Sequence, residues 1–143
     1  AGMADSVSGC RSSVYAFPGV ERTTLLEVKR FDEPVASCLE RFCALRPFGY
    51  TPVRQSINSA AAQLVSRRES RKIIFLITDG LCSDAELLTD IEQDLKRAGI
   101  EIVCLGIGDD IPKIFSIQSD IKHSRQMKEA AYKLLEETFR RRH

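Results

Sequence analysis

The 143-residue chain carries 21 Lys and Arg against 20 Asp and Glu, a net charge of +1, so no general electrostatic pull draws it to nucleic acid or to an anionic membrane. That length fits one domain with enough core to fold without disulfide or metal staples, and no apolar run is long enough to span a bilayer or resembles a signal peptide. The five cysteines, Cys10, Cys38, Cys43, Cys82 and Cys104, show neither C-x-x-C spacing nor a nearby histidine cluster; they read as reduced thiols of a cytoplasmic protein.

In chain order, residues 1–9 read as the tail of a helix closing at Gly9. RSSVYAF, Arg11 to Phe17, alternates as a strand, Pro18 and Gly19 turn the chain, and Thr23 to Arg30 return it as the second strand of an antiparallel edge hairpin. From Val35 to Leu45 the apolar positions Val35, Cys38, Leu39, Phe42 and Leu45 follow helical spacing, and Arg46, Pro47 and Gly49 end that run. A second helix follows, with Thr51 as N-cap, Pro52 at its first position and a stripe of Val53, Ile57, Ala60, Ala61 and Leu64.

The run KIIFLITDG comes next. Its five apolar residues, Ile73 to Ile77, are too few for a membrane span and too β-branched for a surface helix, so they predict a central strand covered on both faces. Ser83 and Glu86 then have capping-box spacing for a helix with Leu87, Leu88, Ile91 and Leu95 inside, stopped by Gly99. Ile100 to Ile107 predict another buried strand, and Ile114 to Ile117, extending toward Ile121, a short edge strand. Ser124 opens a last helix with Met127, Ala130, Ala131, Leu134, Leu135 and Phe139 on its inner face. Alternation of strand and helix in the second half implies parallel pairing with right-handed crossovers: an α/β, doubly wound, mostly parallel sheet with helices on both faces, within a single domain over residues 1–143.

In open α/β sheets ligands bind outside the carboxyl ends of the strands, which is where the LITDG turn delivers Asp79. Thr51 at a helix start and Asp79 at a strand end are each explicable as a routine cap and a routine turn former. Together, a hydroxyl and a carboxylate are hard oxygen ligands suited to magnesium or manganese.

These motifs resemble the von Willebrand factor type A domain. IIFLITDG resembles its strand-turn signature, FGYTPVRQSI its threonine loop, EIVCLGIGDD a later strand ending in a glycine turn, and VYAFPGVERTTLLEVKRFDEP its second and third strands, so the likeness runs from about Cys10 to the C-terminus. Within the family it is similar to the C-terminal domain of the cobalt-chelatase subunit and its bacterial relatives, where a comparable LGIGDD stretch precedes the last helix. The resemblance implies a Rossmann-like fold and a metal-ion-dependent adhesion site at the sheet's carboxyl edge. There an Asp-x-Ser-x-Ser loop, a threonine and an aspartate hold a divalent cation, and an acidic residue of a partner protein completes the shell. The last two ligands carry over to Thr51 and Asp79. The implied role is cation-bridged protein docking without catalysis, with an AAA-type ATPase or another chelatase-like subunit as the partner.

No Asp-x-Ser-x-Ser occurs in the chain; ADSVSGC offers Asp5, Ser6 and Ser8, with the serines one and three places after the aspartate. Only Val7 to Arg11 separate Asp5 from the first predicted strand, too few for the intervening helix of the family. Asp5 is therefore expected at the end of the first helix, with the family's first, central strand and its serine loop upstream of Ala1 or lost. Two consequences are expected: Mg2+ or Mn2+ bound in the intact parent but weakly or not at all here, and either a homodimer or swap through the strand edge left open or a sheet that closes up around the gap.

Other chemistries fit the residues less well. Gly106 and Gly108 lack the third glycine of a nucleotide loop, and Ile111 and Pro112 interrupt the helix start such a loop needs. Asp79 with Asp109 and Asp110 would suit a magnesium-dependent phosphohydrolase, yet the Asp-x-Asp of haloacid-dehalogenase-type phosphatases is missing, since position 77 is Ile. A metal-free structural scaffold is the third reading. His123 and His143 read as solvated, Cys82 as a turn residue, and Arg67, Arg68, Arg71 and Lys72 as a solvated basic loop.

Overall fold

The computed structural model describes residues 9–17, 25–46, 52–80, 88–109 and 111–141. The chain divides into two compact units, Ala1–Ser56 and Ile57–His143.

In the first unit, β1 (Val14–Ala16) and β2 (Leu26–Lys29) pair antiparallel, with an irregularity of register between Val14 and Tyr15. The expected hairpin is present with shorter strands; Pro18 and Gly19 lie outside the described residues. Val28 is buried, and so is Lys29, whose ammonium donates to the carbonyls of Ser12 (2.7 Å) and Arg30 (3.1 Å), the compensation a buried charge requires. The segment read as one helix from Val35 to Leu45 is a 3-10 turn, Val35–Cys38, followed by α1 (Leu39–Ala44). Three residues per turn rotates the apolar stripe away from its 3.6-residue course, so Cys38 is buried while Leu39, expected inside, is 55% exposed. Helix α2 (Val53–Val65), which begins in the first unit and continues into the second, starts just after Pro52, whose carbonyl accepts bonds from the Ser56 N–H and hydroxyl. Val53 and Ile57 are buried, as their stripe predicts.

The second unit is a parallel sheet of β3 (Lys72–Thr78), β4 (Ile100–Ile107) and β5 (Gln118–Ile121), in that order, with α3 (Ile91–Arg97) leading into β4 and α4 (Met127–Arg140) following β5. Val103, Leu105 and Ile121 on one face pack with Leu134 of α4, flanked by Ile73, Phe75, Ala130 and Ala131. Ile74, Leu76, Ile102 and Cys104 alternate to the opposite face and are buried too, and α3 lies against β4 with Ile91 and Leu95 inside. Burial on both faces explains why β3 and β4 read as continuous apolar runs. Gly99, at φ +72, supplies the left-handed residue that ends α3. The described helices include none long and apolar enough to cross a membrane.

Three expectations for this unit are corrected. β3 is not central: the middle strand of the described sheet is β4, and Ile77 of β3 is 39% exposed. The edge strand is Gln118–Ile121 and not Ile114 to Ile117; the Gln118 side-chain oxygen accepts from the N–H groups of Ile114 and Phe115, which curls that stretch into a loop, and the first bond to β4 is the Ile117 carbonyl accepting from the Cys104 N–H at 2.9 Å. Met127 and Phe139, expected inside, are 38% and 39% exposed. Both sit at the ends of α4, outside the Ala130, Ala131 and Leu134 that pack on the sheet.

Candidate functional site

Because β3, β4 and β5 are parallel, their carboxyl ends share one edge of the sheet. Thr78, the last residue of β3, is buried; its Oγ1 donates to the Gly80 carbonyl at 2.9 Å and lies 3.2 Å from the Gly80 N–H, a side-chain turn that closes the strand. The turn leaves Asp79 exposed. Thr78 stands in register with Gly106 of β4, and Gly106 with Asp120 of β5, so one row crosses all three strands just inside this edge. Beyond the row, Gly108 adopts φ +131, outside the usual range of an L side chain, and its N–H binds the Ile121 carbonyl at 2.8 Å. The next residue, Asp109, is exposed and meets Lys122 at 4.0 Å, a contact between side chains each 78% exposed that contributes little.

Asp79 and Asp109 therefore occupy the same edge, as the reading of consecutive parallel strands anticipates. Thr51, Asp110, Cys82 and Asp5 lie outside the described residues. His123 is exposed; it precedes a 3-10 turn, Ser124–Gln126, that leads into α4, and its backbone N–H donates to the Gln126 side chain at 3.1 Å. In the basic loop, Arg67 pairs with Glu69 at 2.6 Å and Arg71 with Glu101 at 2.7 Å, which neutralises half of the patch.

Asp120 belongs to this edge and was not singled out from the sequence. Its Oδ1 sits in the space over Gly106 where a Cβ would otherwise stand, with Ile111 on the same spot. Gln118 holds it there, with Nε2 donating to Asp120 Oδ1 (3.0 Å) and to the Pro112 carbonyl (3.1 Å) while Oε1 takes the two loop N–H groups. The carboxylate also reaches inward electrostatically: burial first, and the Asp120 charge second, push the Cys104 thiol up to about 12. The sequence reading extended the edge strand toward Ile121, but nothing in QSDI marks Asp120 as an edge carboxylate.

As a cation site, the described residues supply the Asp79 carboxylate and bring together no group of three or more His, Cys, Asp or Glu suited to a metal.

The family model of the von Willebrand factor type A domain matches residues 39–141. Protein NorD of Brucella abortus (strain 2308) is 29% identical over 112 residues, which are 73% of this chain and 18% of that protein. Protein NorD of Brucella suis biovar 1 (strain 1330) is 30% identical over 132 residues, 87% of this chain and 20% of that protein. The chain spans about a fifth of the length of the curated relatives it matches.

Proposed function

This chain belongs to the von Willebrand factor type A domain family, and from that premise we propose that it docks a protein partner through the carboxyl edge of its parallel sheet, with Asp79 as the recognition carboxylate. Domains of this family are generally protein-interaction modules. The observation that carries the reading is the position of Asp79: exposed at the end of β3, with no side chain paired to it among the described residues, beside a buried Thr78 that fixes the turn. In the intact parent Thr51 and Asp79 would contribute to a Mg2+ or Mn2+ site completed by an acidic residue of the partner. This chain, lacking the serine loop, binds such ions weakly or not at all. A partner of the AAA-type ATPase class, or a chelatase-like subunit, follows from the family resemblance. Cys38, Cys43 and Cys104 as free thiols support a cytoplasmic setting.

Calorimetric titration with Mg2+ and Mn2+ tests the metal part, and micromolar affinity in this chain would overturn it. Binding to an AAA-type ATPase of the same organism tests the docking part, with loss on Asp79→Asn expected. A magnesium-dependent phosphohydrolase built on Asp79, Asp109 and Asp110 would instead show turnover that Asp79→Asn abolishes. A metal-free scaffold would leave every assay indifferent to Thr51→Ala and Asp79→Asn alike.

A further inference from the structure

We propose that the amino edge of the parallel sheet is a second docking surface, which takes an extended acidic segment of a protein partner. Three helices end there. α2 runs out at Val65, whose carbonyl accepts from the Lys72 ammonium at 3.3 Å; α3 runs out at Arg97, just before Ile100 takes its place opposite Lys72; and α4 brings the Thr138 carbonyl to 2.7 Å from Arg71. The carboxyl end of a helix carries about half a unit of negative charge and favours cations. A parallel α/β topology therefore gathers on one edge the basic residues that the sequence spreads over half the chain.

Residues 66–72, 94–101 and 136–141 hold eight Lys and Arg against five Asp and Glu. Four of those acids are already engaged: Glu69 by Arg67 at 2.6 Å, Glu101 by Arg71 at 2.7 Å, Asp94 by Arg97 at 2.9 Å and Glu136 by Arg140 at 2.5 Å. Arg68, Lys96 and Arg141, one from each converging segment, are exposed and in no ion pair among the described residues, with Glu137 the one uncommitted acid beside them. The carboxyl edge, by contrast, presents Asp79, Asp109 and Asp120, so the net charge of +1 conceals a basic pole. The spacing of these charges selects the partner. A nucleic acid lays down an unbroken row of phosphates, which would run across Glu69, Asp94 and Glu101 as well as the cations. An acidic peptide can set its carboxylates against the uncommitted cations and neutral residues against the engaged pairs. Exposed pairs are each weak and salt-sensitive, so the contact is reversible, and it rests on neither Asp79 nor a bound cation.

Titration of the chain with a short peptide of alternating Glu and Gly, followed in 1H–15N correlation spectra, tests this. The expected result is a shift of the amides around Arg68, Lys96 and Arg141, none around Asp79 and Asp109, and an affinity that falls as added salt shortens the screening length from about 10 Å to about 3 Å. Arg68→Glu and Lys96→Glu should each weaken binding by about fivefold. Lys128→Glu, the same change of charge at an exposed position in the first turn of α4, should leave it unaltered. No shift at millimolar peptide would overturn the proposal, as would shifts scattered over the surface or an equal loss from Lys128→Glu. A single-stranded oligonucleotide that binds this edge more tightly than the peptide would overturn it too, by making the partner a nucleic acid.

Discussion

Asp120 and Gly106 stand opposite each other on β5 and β4, and the Asp120 carboxylate fills the space that a side chain on Gly106 would need. Gly106 is thus required by its neighbours, while its backbone stays within the ordinary range. Gly106→Ala should force Asp120 off Gln118 and press on Ile111, lowering stability by about 1–3 kcal/mol. Urea denaturation reads the loss directly. In an Asp120→Ala background part of it should be recovered, leaving the Ile111 contact as the remainder.

Arg71 ties three elements together. Its Nε and Nη2 donate to Glu101 at 2.7 and 3.1 Å, Nη2 donates to the Thr138 carbonyl near the end of α4 at 2.7 Å, and the guanidinium stands 6.0 Å from the Phe139 ring centroid. A point-like ammonium cannot reproduce this fork. Arg71→Lys should therefore cost about 1–2 kcal/mol despite conserving charge, and exchange at the amides of α4's last turn should quicken.

Burial holds Cys104 neutral, with its pKa raised from 9.0 to about 12. Since the fold favours the protonated thiol, that contribution to stability is complete below pH 9 and declines as pH rises toward 12. At pH 8.5 iodoacetamide should label the exposed Cys43 readily and Cys104 only after unfolding. Mass mapping of the labelled peptides checks both.

Glu33 is held below its ordinary value of 4.5, first by the Arg30 backbone N–H and next by the Arg41 side chain. A depressed carboxyl pKa means that its stabilising contribution is present above 4.5 and is lost as pH falls through the folded value. Glu33→Gln should accordingly flatten the acid limb of the first unit's stability profile, as followed by circular dichroism between pH 6 and 3, without steepening its neutral region.

Strand β4 was legible to the residue, Ile100 to Ile107, because burial on both faces leaves an almost wholly apolar run, broken only by Glu101, between Gly99 and Gly108. The buried face of α3 was legible through Leu88, Ile91 and Leu95 for the same reason of periodicity. Gln118 was not, since its role lies in accepting N–H groups three and four residues back, a bond pattern that leaves no period in the sequence. Asp120 was missed for a related cause: its place on the rim depends on a glycine fourteen positions earlier in a neighbouring strand.

The sequence by itself determined the class of fold, the order of strands and helices in the second unit, and Asp79 at a strand end, because hydrophobic periodicity and turn chemistry act over a few neighbouring residues. Which strand became the middle of the sheet, which carboxylate lies over Gly106, and which helix ends remain exposed were decided only by the tertiary structure. Those outcomes depend on the register of the strands and on how the helices pack against them, which are set by contacts between residues far apart along the chain.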